Sequence, residues 1–338
     1  MLADIVEYLA CPVCTHEVWL AGDTLRCAEG HAFDVAKQGY VSLLVGSRTP
    51  GTADSAAMVA ARAEFLGAGH YAPLADALAE SVRLRIQSAN GREGDAFRRD
   101  RFSALPDAAA EKAYRSAAVA REAGAARQEA GHAEEPVIVD AGAGTGYYLA
   151  TVLRAVDRGI GMAFDVSKHA VRRAARAHPR VGAFVADVWR PLPIRDGVAD
   201  IVIDVFAPRN APEFRRILRP GGVVVVVTPA QAHLSPLVQE LGLLSVDEEK
   251  ERRLARSLEG FEEADRRTVE FDLELDPGEV AGVVGMGPSA WHTEATELTK
   301  RISSYVSRET AKKREKVVAR AAFQLSIFEA SPRSRAVP

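Results

Sequence analysis

Three cysteines in 338 residues, all within the first thirty positions, are too few and too unevenly placed for a disulfide framework. No apolar run approaches the roughly 18 residues of a membrane-spanning helix. The first residues, Met1-Leu-Ala-Asp-Ile-Val-Glu, lack the basic start and small-residue cleavage site of a secretory leader, so a cytoplasmic protein with no membrane partner is expected. A net charge of −3 excludes an indiscriminate polyanion binder. Arginine clusters do occur, at Arg98, Arg99 and Arg101, at Arg172, Arg173, Arg176 and Arg180, and at Arg215, Arg216 and Arg219. Such clusters are usually solvated helix faces, and a modest footprint on RNA phosphates is the alternative. What remains is an ordinary globular composition, 47% hydrophobic and 26% charged, long enough for two domains.

The cysteines fall into two tight pairs. Cys11-Pro-Val-Cys14 is followed, twelve residues later, by Cys27-Ala-Glu-Gly-His31. Tetrahedral Zn²⁺ takes four nitrogen or sulfur ligands from two such turns, and three Cys with one His is a standard structural set. A redox Cys-x-x-Cys pair needs neither the third cysteine nor the histidine. His16 is the poorer fourth ligand, because it would leave Cys27 alone in its turn. The expected site is therefore a closed structural zinc on Cys11, Cys14, Cys27 and His31.

Further on, Val137-Ile-Val-Asp140 reads as a short buried strand that breaks into alternate glycines, Gly142, Gly144 and Gly146, before a helical run from Tyr147 to Val156. Strand, glycine turn and helix bring backbone N–H groups up to a nucleotide-like ligand. The pattern is Asp-x-Gly-x-Gly-x-Gly rather than the dinucleotide Gly-x-Gly-x-x-Gly, and it resembles the first motif of class I S-adenosylmethionine (SAM) methyltransferases. A second apolar run, Gly159 to Phe164, ends in Asp165, nineteen positions past Gly146 and suited to ribose hydroxyls. A third, Val181 to Ala186, ends in Asp187, placed for the adenine amino group. The bland alternative is a glycine turn with two helix-capping acids. The cofactor set expected at this edge is Asp140, Gly142, Gly144, Thr145, Gly146, Asp165 and Asp187.

Strand and helix alternate beyond the motif, as a doubly wound α/β sheet requires. Ala199 to Phe206 is a fourth strand, Ala211 to Leu218 a helix, and Val223 to Val227 a buried fifth strand. A helix is expected to open in Thr228 to His233. Thr268 to Leu275 and Ala322 to Phe328 complete a seven-stranded, mostly parallel sheet. Phe206 and Pro208 stand at a strand end and can stack on a base, although Phe206 could equally be a core aromatic. Asp204 is close by, but strand alternation can point it away, and no catalytic base is named.

Longer patterns carry a family resemblance. Cys-Pro-x-Cys, Cys-x-x-x-His-x-Phe-Asp-x-Ala-Lys-x-Gly-Tyr-Val-x-Leu-Leu44, Arg62-x-x-Phe-Leu-x-x-Gly-His-Tyr-x-Pro-Leu74 and the SAM motif occur in this order. The chain thereby resembles the bacterial 23S rRNA guanine-N1 methyltransferases, closest to the Gram-positive branch that includes the tylosin-resistance methyltransferase. The resemblance covers residues 5 to about 86 and 135 to about 328. It implies a SAM cofactor also touched by Tyr71 and His233, an acceptor pocket in which Trp291 either joins Phe206 and Pro208 or instead packs the late helices, and a 23S rRNA hairpin near the peptide exit tunnel as substrate. A homodimer is among the assemblies it allows. The domains expected are a zinc-binding RNA-recognition module at 1–50, a helical connector at 51–86, a methyltransferase domain at 135–330 and a tail at 331–338. Residues 87–134, rich in Ala, Arg and Glu, depart from the family and read as a loosely packed, mobile insertion in which Asp107 to Ala126 could be helical. Two other functions are open on this sequence: a small-molecule SAM methyltransferase, and a zinc-bearing RNA-binding protein that has lost catalysis.

Overall fold

The computed structural model describes residues 1–46, 53–99, 135–243, 257–286, 295–311 and 316–331. The chain opens with a short helix, α1 (Leu2–Ile5), and a three-stranded antiparallel sheet in the order β1 (Val18–Ala21), β2 (Thr24–Cys27), β3 (Ala32–Asp34). The next strand, β4 (Tyr40–Ser42), leaves this ribbon for the main sheet. Helices α2 (Ala56–Gly67) and α3 (Ala72–Arg99) precede the glycine motif.

The rest alternates as expected: β5 (Val137–Ala141), α4 (Tyr147–Ala155), β6 (Ile160–Asp165), α5 (Lys168–Ala174), β7 (Val181–Val185), β8 (Ala199–Val205), α6 (Ala211–Ile217) and β9 (Leu218–Pro229). There follow α7 (Leu237–Leu241), β10 (Phe261–Leu275), α8 (Pro277–Gly285), α9 (Ala295–Ala311) and β11 (Val317–Ala330). The main sheet has the order β10-β11-β9-β8-β5-β6-β7-β4. Strands β4 to β9 pair in parallel, and β11 joins antiparallel between β9 and β10. Seven strands are those the sequence marks out. The eighth, β4, comes from the N-terminal module and pairs Val41 with Phe184 of β7.

Alternation along the strands builds two cores. On one face Ile138, Ile203 and Val225 pack with Leu74, Leu78 and Val82 of α3 and with Leu149 and Leu153 of α4. On the other, Val139, Val202 and Val224 share a cluster with Phe164, Phe184, Phe214 and the N-terminal Leu2, Ile5 and Leu9. The ribbon is thus anchored in the catalytic core: a Cβ on Gly182 would stand 2.5 Å from Ile5, so α1 lies against β7 at a distance only glycine allows.

Three expectations need correction. Residues 87–99, assigned above to the insertion, continue helix α3 without a break; their Ala, Arg, Gln and Glu content supports helix, and the first proline beyond Pro73 is Pro106. The remainder of that segment, with Asp107 to Ala126, lies outside the described residues. No helix opens in Thr228 to His233: β9 runs on to Pro229, a turn follows, and α7 begins only after Pro236. The last two strands are longer than expected, because β10 and β11 pair from Phe261↔Ala330 to Leu275↔Val317. Strand β10 is an edge strand whose outer half carries charge, which hid it in a search for apolar runs.

Candidate active site and zinc centre

In the ribbon, the ligand atoms of Cys11, Cys14, Cys27 and His31 all lie within 4.8 Å of one another. Cys14 Sγ is 3.6 Å from Cys27 Sγ, and His31 Nδ1 is 3.6 Å from Cys11 Sγ and 3.3 Å from Cys27 Sγ. Zn–S and Zn–N bonds of about 2.3 and 2.0 Å put the vertices of a tetrahedron roughly 3.5–3.8 Å apart. The donors therefore already have the spacing a zinc ion needs. Two tight turns hold them: Thr15, at φ 64°, closes the first with its N–H on the Cys11 carbonyl, and Gly30, at φ +82°, closes the second on the Cys27 carbonyl. His16 points elsewhere, 3.9 Å from Glu29 on the surface. Burial and hydrogen bonds with Cys11 and Cys27 push the Cys14 thiol up to about 11. At Cys27 burial acts in the same direction, but hydrogen bonds from His31 outweigh it and bring the thiol down to about 6. Without a cation the sulfur atoms compete for protons; a divalent ion removes that competition by holding all three as thiolates.

The second site lies at the carboxyl edge of the parallel strands. Strand order reverses on either side of β5, and ligands of open α/β sheets bind at such a switch point. Here the chain turns through Gly142, Gly144 and Gly146, all in the left-handed region. A Cβ on Gly142 would be 2.6 Å from Ala207 Cβ, and one on Gly146 2.9 Å from Ala174 Cα, so both serve close packing. Gly144 is different: only the Arg62 side chain comes within 4 Å, which leaves its backbone open to a ligand.

Asp165 fixes this loop. Its Oδ2 accepts from Gly144 N–H at 2.9 Å and its Oδ1 from Ser167 N–H at 2.8 Å. Burial pushes its pKa above the usual carboxylate value, and those two N–H groups oppose the rise. A carboxylate has about four lone-pair directions, so two remain for hydroxyls. Asp187 accepts from Trp189 N–H at 3.0 Å through Oδ1, which is the local turn of the bland reading, and its other oxygen stands 3.8 Å from Arg190. Asp140 is buried with Oδ2 lacking any partner, and burial together with Asp165 pushes it up to about 8. Tyr148 Oη is likewise buried and unpartnered. Two such groups beside a glycine loop have the character of a site completed by a polar ligand, since polar groups seldom stay buried without one. Thr145 is half-buried in the same loop.

Beside the loop is a box of aromatic rings. Tyr71 meets Phe323 edge-on at 5.0 Å, His233 lies 4.6 Å from Phe323, and Phe206 lies 5.6 Å from Phe323 and 6.3 Å from Tyr148. Tyr71 and His233, 162 residues apart, come within 3.4 Å through Oη and Nε2. His233 Nδ1 faces Ala322 N–H at 3.4 Å, so in the neutral ring the proton sits on Nε2 and is donated to Tyr71. Phe206 is 43% exposed at φ 58°, a left-handed conformation that a bulky residue rarely adopts. It is therefore a ring held out at the rim, not the core aromatic of the alternative. Pro208 is exposed beside it, and Trp291 lies outside the described residues. Asp204 is fully buried and turned away, with Arg209 Nη1 at 3.6 Å.

Sequence reasoning missed Tyr148 and Phe323, and also the clamp formed by α2. Arg62 pairs with Asp54 and donates to the Met286 carbonyl at 3.2 Å, while Ser167 Oγ donates to the Asp54 carbonyl at 2.7 Å. His70, in the turn before α3, meets Glu279 of α8 at 2.9 Å. The one signal available for Tyr148 was its place two residues after Gly146, in the first turn of α4.

The order of the seven strands β5 to β11, the glycine loop and an acid at the end of β6 define a class I SAM-dependent methyltransferase carrying an N-terminal zinc ribbon. Residues 9–46 match the family described as RlmA, N-terminal, a zinc ribbon, and residues 138–222 match a methyltransferase domain. A 23S rRNA (guanine(748)-N1)-methyltransferase of Streptomyces fradiae is 44% identical over 304 residues, covering 90% of this chain and 92% of that protein. A Micromonospora griseorubida protein ascribed the same class of activity is 46% identical over 313 residues, covering 90% and 94%. A third relative so ascribed, from Bacillus subtilis (strain 168), is 29% identical over 237 residues, 68% of this chain and 67% of its own. The chain belongs to the family of 23S rRNA (guanine-N1)-methyltransferases.

Proposed function

We propose that this protein methylates N1 of a guanine in a hairpin loop of 23S ribosomal RNA near the peptide exit tunnel, at the position equivalent to the guanine 748 named for its S. fradiae relative. The observation that carries this reading is the extent of that kinship: the identity runs over 90% of the chain, so ribbon and catalytic domain are shared together. Tylosin sensitivity is lowered as a consequence, in concert with a partner methylation elsewhere. The protein works in the cytoplasm; none of the described helices is long and apolar enough to cross a membrane.

SAM supplies an electrophilic methyl on its sulfonium. Gly142, Gly144, Thr145 and Gly146 cradle the cofactor with backbone groups, Asp165 holds its ribose, and Asp187 receives its adenine. Asp140, with its unpartnered oxygen, takes a remaining polar group of the cofactor. Tyr71 and His233, tied to each other, close the cofactor side of the aromatic box. Phe206 and Pro208 receive the guanine, which a loop releases more cheaply than a duplex does. Positioning the ring for in-line attack supplies much of the rate. Asp204 does not take the N1 proton, being shut off by burial and by Arg209; the proton leaves at the open rim beside Phe206.

The test is mass mapping of 23S rRNA before and after incubation with protein and SAM, with primer extension to place the modification, since a methyl on N1 blocks base pairing. A new stop at one loop guanine is expected. A methyl on a cytosine or a ribose, or on no RNA at all, would sink the reading and favour a small-molecule acceptor.

A further inference from the structure

Most arginines among the described residues are neutralised by an acid. Arg62 pairs with Asp54, Arg83 with Glu80, Arg85 with Glu329, Arg216 with Glu213 and Asp196, Arg219 with Asp200, and Arg320 with Glu270 and Asp272. Helix α5 breaks this habit. His169, Arg172, Arg173 and Arg176 stand at spacings of three, four and seven, so they form one stripe along the helix and the turn that continues it. All four are exposed, and among the described residues none of the three arginines has an acidic partner or a hydrogen bond from its guanidinium. Like charges at this spacing repel one another, and among the described residues no acid offsets them.

The stripe does not simply face open water. It forms one wall of a cavity of about 510 Å³ whose other wall is Ala56 and Val59 of α2. The same two helices bracket the glycine loop: Ser167, the N-cap of α5, donates to the Asp54 carbonyl ahead of α2, and Gly146 abuts Ala174 of α5. A groove with three unpaired guanidinium groups on one side and small apolar residues on the other fits a sugar-phosphate chain. Guanidinium groups take phosphate oxygens in a bidentate manner, and the apolar wall takes ribose or base.

We infer that this groove holds the phosphate backbone of the RNA substrate, giving the protein a grip on nucleic acid outside both the zinc ribbon and the aromatic box. The inference rests on the RNA reading above and adds to it a binding track with named residues. A protein of net charge −3 thereby concentrates its RNA affinity in one strip beside the cofactor loop.

The experiment compares wild type with the triple variant Arg172→Gln, Arg173→Gln, Arg176→Gln, and with the matching triple lysine variant. Binding to a 23S rRNA hairpin fragment is measured by fluorescence anisotropy across a salt series. Each phosphate contact to a single strand contributes roughly 0.7 to the slope of log affinity against log salt, so the glutamine variant should lose about 2 from that slope and at least about tenfold in affinity. The lysine variant should keep most of the slope. SAM affinity within twofold of wild type in both variants shows that α5 still folds against the loop. An unchanged slope and an unchanged KM for RNA in the glutamine variant would overturn the inference. Methylation of the fragment by wild type is scored separately: its absence would sink the RNA reading, whatever the variants bind.

Discussion

The two centres of this molecule are built on opposite principles. The zinc centre draws four side chains from two turns less than twenty-five residues apart in sequence, and its donors stand at coordination distance of one another. The methyl-transfer cleft draws on β5, β6, β8, β11, α2, α3 and α4, and its polar groups are left wanting: Asp140 and Tyr148 have buried atoms with no partner. A local site with strongly bonding ligands can be complete by itself. A site that must accept and release two substrates is held open by the scaffold, and backbone strain is carried there at Phe206, at φ 58°.

The sharpest way to break that contrast is to remove a zinc ligand. Cys27→Ala should take the metal content from one zinc per chain to none, and structural zinc contributes on the order of 10 kcal/mol to the folding of such modules. Cys11, Val18, Leu25 and Cys27 share a core cluster with Ile5 and Phe184, so the damage should reach the catalytic sheet. We expect a melting temperature lower by on the order of 10 °C. Elemental analysis with calorimetry checks this; a variant that loses zinc and melts as wild type would show the ribbon to be self-sufficient.

Next in size is Gly144→Val. A β-branched residue at φ +54° is strained, and its side chain covers the open backbone, so SAM affinity should fall by about 3 kcal/mol, or over a hundredfold. Titration calorimetry giving wild-type affinity would dislodge the cofactor from this loop.

Phe206→Ala should act on the other substrate. Loss of base stacking costs about 1–3 kcal/mol, so kcat/KM for RNA should drop roughly ten- to hundredfold with SAM affinity unaltered. Phe206→Gly should lose activity equally yet melt higher than the alanine variant, because glycine tolerates φ 58°. Equal stabilities would mean that the conformation carries no strain.

The remaining effect is electrostatic and shows only as a pH dependence. Asp140 titrates near 8 in the fold and near 4 when unfolded, so the folded chain binds the extra proton between those values. Its stabilising contribution is complete below about pH 4 and is lost as pH rises through about 8, with a slope of at most about 1.4 kcal/mol per pH unit. Asp140→Asn should flatten that part of the stability curve in the SAM-free protein. Denaturant titrations at pH 5, 7 and 9 that fall in parallel for both chains would reject the assignment.

The same contrast decides what could be read in advance. Zinc ligands were legible because cysteine is rare here and its spacing maps directly onto coordination. Strand ends at Asp140, Asp165 and Asp187 were legible because buried parallel strands are plain apolar runs. The aromatic box was not, since Tyr71, Tyr148, His233 and Phe323 come from four elements and meet only through the sheet order; two of them were reached solely through family resemblance. Strand β4 escaped because three residues of a loop-like segment acquire their partner from β7, 143 positions away. The aligned arginines of α5 were visible as a cluster, yet nothing in the sequence showed that they lacked acids or lined a groove.

Strand β4 has a further consequence. Strand β7 is buried at every position, Val181-Gly-Ala-Phe-Val185, and β4 is what covers its outer row of amide and carbonyl groups. A chain cut back to the catalytic domain would present that row, flat and apolar, to any other molecule in solution. Strand β4 therefore works as a cover strip over β7. Losing it would turn the edge of β7 into a seed for edge-to-edge stacking, and this ties the two domains together irrespective of what the ribbon contributes to RNA recognition.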